Sequence, residues 1–86
     1  MQIDGAVIRE QGVTFAVVVV KQHIVQNSAD ANRAIASFSP VFPGMPVVLV
    51  GQDSRGRATY YGRKDIARFL SRVPMHAIPW KRYTMN

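Results

Sequence analysis

The residues most able to do chemistry lie late in the chain. Arg55, Arg57, Arg63, Lys64, Arg68, Arg72, Lys81 and Arg82 stand against a single carboxylate, Asp65, between residue 55 and the end, a balance of +7. Residues 1–54 carry Arg9, Lys21 and Arg33 against Asp4, Glu10, Asp30 and Asp53, a balance of −1. Six of the eight late cations are arginine, whose planar donor fork suits phosphate or carboxylate better than the point charge of lysine. Tyr60, Tyr61, Trp80 and Tyr83 are interleaved with them, and aromatic faces beside cations are what a single-stranded nucleic acid stacks on. Arg63, Lys64, Arg68, Arg72, Trp80, Lys81 and Arg82 are therefore the candidate residues for contacting an anionic partner. The spacing also has a plainer reading. Lys64, Arg68 and Arg72 recur at steps of four, as the solvated face of an amphipathic helix does. No RNP aromatic pattern, GXXG loop in a KH setting or zinc-finger spacing accompanies them.

Other constellations are weaker. Gly51-Gln-Asp-Ser-Arg-Gly56 has the glycine spacing of a phosphate-binding loop, but Arg57 and Ala58 follow where that motif needs Lys and then Ser or Thr. It reads as a hairpin turn. His23 and His76 are 53 residues apart without a metal-ligand spacing, and the five carboxylates are scattered. Asp30 and Asp65 have a sufficient explanation at helix starts, where a carboxylate meets the positive end of the dipole. The serines lack a nucleophile-elbow context. No catalytic residue, cofactor or metal is assigned on these grounds. With no cysteine in the chain, disulfide frameworks, thiol nucleophiles and Cys-ligated metal centres are excluded.

Eighty-six residues make one domain, expected over 1–86, with a core over 1–73 and residues 74–86 as a tail or short strand. Burying roughly 9,000 Å² of surface, a little over half of it apolar, contributes about 130 kcal/mol. Ordering 86 residues at about 1.5 kcal/mol each costs nearly as much. The domain is marginal alone, and a partner subunit would help it. The longest apolar run, residues 13–20 interrupted only by Thr14, falls far short of the roughly 20 residues that span a bilayer. No basic region followed by an apolar segment opens the sequence, so the expectation is a cytoplasmic protein without membrane partners.

The elements that must position the candidate residues follow from hydrophobic period. Residues 3–8 and 13–20 read as antiparallel strands joined through Gly12. The second is continuously apolar and β-branched, as a strand covered on both faces is, and residues 21–26 are expected to prolong it. Asn27 or Ser28 caps a helix with Ala31, Ala34, Ile35 and Phe38 along one face, ending before Pro40. A proline-rich loop leads to a strand over 47–50, and GQDSRG turns it into a strand over 57–61. Ile66, Phe69, Leu70 and Val73 stripe a second helix that ends at Pro74. The order ββαββα, with helix starts at 28 and 64, predicts an α+β two-layer sandwich: a four-stranded or five-stranded sheet with both helices on one face.

The stretch MPVVLVGQDSRGRATYYGRKDIARFL, residues 45–70, resembles the proline, strand, hairpin, strand, glycine and helix that close thioredoxin-like domains. In that family the proline before the strand is cis and borders the active site, and Pro46 holds the matching position. The chain departs from the family in having no CxxC and no preceding strand-helix unit to carry one, so no activity is carried over. The expectation for function is a small non-enzymatic binding or assembly domain that contacts another protein or its own copy as a homodimer. The alternative is binding of RNA or single-stranded DNA through the arginine-rich last third.

Overall fold

The computed structural model describes residues 1–85. Strands β1, Gln2–Glu10, and β2, Val13–Val19, form an antiparallel hairpin with Gly5 opposite Val18 and Glu10 opposite Val13. Gln11 and Gly12 join them at φ of 50° and 78°. Positive φ at both positions is the mirror-image turn whose twist matches that of the strands. Strand β3, Val47–Gln52, runs parallel to β2, and β4, Ala58–Tyr61, returns antiparallel to β3. The tail forms β5, Lys81–Thr84, antiparallel to the first residues of β1. The sheet order is β4-β3-β2-β1-β5, so the five-stranded alternative holds. Beyond β5 the Met85 amide donates to the Met1 carbonyl at 2.7 Å, and the Met1 ammonium donates back to Met85 O at 3.2 Å.

Helix α1, Gln22–Val25, and helix α2, Ser28–Phe38, connect β2 to β3. The expected extension of β2 over residues 21–26 does not form. The ladder ends with Val20 N donating to Val50 O at 2.9 Å, and Ile24 N then donates to Lys21 O at 3.0 Å. This single turn swings Val25 into the core over β3, an apolar burial that a continued strand would forgo. The capping expectation for α2 holds: Asn27 Oδ1 accepts from Asp30 N at 3.1 Å. Helix α3, Lys64–Leu70, follows β4 and buries Ile66 and Leu70.

The α+β class holds, but the helices do not share a face. Ala16, Val18, Val47 and Leu49 belong to one core with Val25, Ala31 and Phe38. Phe15, Val17, Val48 and Val50 alternate with them and belong to a second core with Ile66 and Leu70. Successive side chains on a strand point to opposite faces, so α2 covers one face of the sheet and α3 the other. The cause is the unbroken apolar character of β2 and β3, which leaves valine on both faces to be removed from water. Residues 45–70 do fold as proline, strand, hairpin, strand, glycine and helix, but the peptide bond before Pro46 is trans. The thioredoxin-like expectation of a cis proline there is not met.

Candidate binding surfaces

The candidate cations begin at the start of α3, where the sequence spacing puts Arg63 two residues from Asp65. The Arg63 guanidinium donates to both carboxylate oxygens of Asp65, Nε to Oδ1 at 2.8 Å and Nη2 to Oδ2 at 2.7 Å. That hydrogen bond holds the Asp65 carboxyl below its ordinary range and raises Arg63. Both side chains are exposed, so the pair adds little stability, but it occupies Arg63. Lys64, Arg68 and Arg72 make no ion pair among the described residues. Arg68 and Arg72 line an open cleft of about 300 Å³ together with Glu10, Asp65 and Phe69. Two carboxylates therefore share the cleft with two guanidinium groups, and its charge is nearly balanced.

The remaining candidates lie elsewhere. Lys81 sits opposite Gly5 on β1, whereas the Arg68 and Arg72 cleft reaches β1 at Glu10. At about 3.4 Å per residue those positions are roughly 17 Å apart along the strand. Arg82 is tied down there, its Nε donating to Asp4 Oδ1 at 3.1 Å and its Nη1 to Gln2 Oε1 at 3.3 Å. Arg55 and Arg57 belong to the β3–β4 turn, at the end of the sheet away from the Gln11 and Gly12 turn, because β2 and β3 are parallel. Arg57 donates to Asp53 Oδ2 at 3.2 Å. The eight late cations thus occupy three separate places: Arg55 and Arg57 in the β3–β4 turn, Arg63, Lys64, Arg68 and Arg72 along and just beyond α3, and Lys81 and Arg82 in β5.

The aromatic residues among them are engaged as well. Trp80 is half-buried in the second core and donates from Nε1 to Met75 O at 3.0 Å. Tyr60 donates to Met75 Sδ at 3.4 Å, and its burial raises the phenol above its ordinary pKa. Tyr61 donates to Asn32 Oδ1 at 3.1 Å. Tyr83 meets Phe42 edge-on with centroids 4.9 Å apart. GQDSRG is a hairpin turn, as expected: Asp53 Oδ1 accepts from both Arg55 N and Arg57 N at 2.9 Å. His23 and His76 are exposed, and no group of three or more metal-ligating side chains gathers among the described residues. No helix among them is long and apolar enough to cross a membrane.

The most distinctive surface was not among the candidates. β1 has nine residues, but β5 pairs only with residues 2–5. Residues 6–10 are bonded to β2 on one side and, among the described residues, have no strand on the other. Val7, in this stretch, is 41% exposed and is one of two large apolar side chains among the described residues so open to solvent. Beside it is a cleft of about 300 Å³ with apolar walls of Ile8, Phe69, Val73, Ile78 and Pro79. The gap exists because Trp80 N donates to Ile78 O at 2.8 Å, a tight turn at Pro79 just ahead of β5, and Ile78 is drawn into the second core. Pro79, which cannot donate to a ladder, was the signal in the sequence that β5 starts too late to cover all of β1. Comparison of the chain with known protein families, curated proteins and solved structures finds no match.

Proposed function

We propose that this chain is a non-enzymatic binding domain that takes up a segment of another protein at the edge of its sheet. The observation that carries the reading is the unpaired stretch of β1 at residues 6–10, beside an apolar cleft. An open strand edge presents a row of backbone donors and acceptors ready to pair with another chain, and extended peptides bind other domains in this way. Self-association through the same edge is the homodimeric form of the reading. Binding of RNA or single-stranded DNA through Arg63, Lys64, Arg68, Arg72, Trp80, Lys81 and Arg82 draws less support. Those residues are dispersed, Arg63 and Arg82 hold carboxylates, and Trp80 is bonded inward.

The test is selection of the full chain against a randomised peptide library. A shared pattern among enriched peptides, each confirmed by titration, is the expected result. Failure to enrich any pattern overturns the reading. Tight binding of single-stranded RNA at about 50 mM salt, with a steep loss as salt rises, would transfer support to the alternative.

A further inference from the structure

We infer that the ligand of residues 6–10 is an extended segment in which an apolar side chain is flanked by acidic ones. The inference rests on the protein-binding reading above and gives that reading a site and a ligand chemistry. Ile8 belongs to the second core, where the cleft lies, and its neighbours Val7 and Arg9 point to the other face. A strand added beside β1 must keep the same alternation. Its side chain next to Ile8 enters the cleft, where Phe69, Val73 and Ile78 offer apolar contact and room for a leucine. Its side chains on either side of that anchor emerge beside Val7 and Arg9.

The charge on that side selects the flanking residues. Arg9 is exposed and makes no ion pair among the described residues. Arg68 and Arg72 lie with α3 on the face of Ile8, so the cation that meets the flanking side chains is Arg9. Opposite charges across a strand pair stabilise it, and like charges oppose it. A glutamate or aspartate next to the anchor therefore fits, whereas a second copy of this chain brings a net charge of +6 and another Arg9 to the same edge.

The experiment uses the full chain labelled with ¹⁵N and a capped peptide of about seven residues, the length of an ordinary strand. The peptide alternates glutamate with valine around a central leucine, and the control has the same composition shuffled to lose the alternation. Shift changes are expected at residues 6–10 and at Phe69, Val73 and Ile78, with the shuffled peptide weaker. Arg9 is exposed, so Arg9→Glu leaves the fold intact by circular dichroism and weakens the glutamate peptide roughly three- to tenfold. The lysine version of the peptide then binds Arg9→Glu better than the parent chain.

No binding at about 1 mM peptide, equal binding of the shuffled control, or indifference to Arg9→Glu overturns the inference. Shift changes confined to another surface, such as the groove of about 520 Å³ that includes Ile3, Ile24 and Phe38, overturn the site while leaving the protein-binding reading intact. A dimer in sedimentation that buries residues 6–10 assigns the edge to a second copy and overturns the acidic ligand. Only an unproductive library selection removes the broader reading.

Discussion

Gly51 of β3 lies directly against Gln22 of α1: a Cβ placed on Gly51 would come within 2.9 Å of Gln22 Cα and 2.9 Å of Val25 Cγ2. Backbone meets backbone there, and any side chain at 51 forces one of them away. This contact is what lets the chain leave β2, make a single helical turn and bury Val25 before α2 begins.

Gly51→Ala is accordingly expected to destabilise the domain by about 1–3 kcal/mol, the range for overpacking a filled site. Alanine ordinarily suits a strand better than glycine, so a loss of stability isolates the close approach as its cause. Urea unfolding followed by circular dichroism measures it, and an unchanged or raised midpoint would contradict the packing described.

The β1–β2 turn points in the other direction. Gln11 adopts φ of 50°, a conformation that asparagine and glycine accept more readily. Gln11→Asn is expected to stabilise by about 0.5–1 kcal/mol, which raises the melting temperature of a domain this size by roughly 2–8 °C. Differential scanning calorimetry reads the change.

Asp53 gives the domain an acid-sensitive hairpin. The Arg57 amide is the main cause that holds its carboxyl below the ordinary range, outweighing desolvation, and the Arg55 amide and the Arg57 side chain act the same way. A carboxyl depressed by folding contributes stability above its unfolded pKa, near about 4, and that contribution is lost as the pH falls through the folded value. Asp53→Asn should therefore lower the urea midpoint at neutral pH and flatten the decline expected below about pH 4. Asp65, held down by Arg63, acts with the same sign, so a residual acid decline is expected in the variant.

Trp80 serves as a reporter for the nucleic-acid alternative. It is the only tryptophan in the chain, and its indole N–H is committed to Met75 O. Its emission is expected to stay unchanged when single-stranded RNA is added at low salt, whereas a base stacked on the ring would quench it. Trp80→Phe, which keeps an aromatic ring and removes the donor, is expected to destabilise by about 0.5–1.5 kcal/mol.

Much of this fold is legible from local pattern. The valine run of β2, the stripe from Ala31 to Phe38, the Asn27 cap and the turn at Asp53 each depend on neighbours a few residues away, and each forms as read. The distribution of helices over the sheet was implied by the same valines: a strand apolar on both faces cannot be covered by helices on one. What was not legible depends on distant pairing. Arg82 and Asp4 are 78 positions apart, so no spacing argument could neutralise that arginine in advance. The late cations form one block in sequence but not in space, because the chain between Arg57 and Lys81 crosses the sheet from one edge to the other. The open half of β1 likewise appears only when the lengths of two strands at opposite ends of the chain are set side by side.

The attachment of β5 has a consequence for how the molecule comes apart. Its pairs with β1, the Arg82 contacts and the Met1 and Met85 bonds all join the two ends of the chain, and closing so long a loop costs entropy before any contact repays it. β5 is thus a latch, the last segment to arrive and the first to depart, and amide exchange in β5 should outpace that in the buried centre of β2. With the latch undone, the edge of β1 open to a visiting strand grows from residues 6–10 to the full length of Gln2–Glu10.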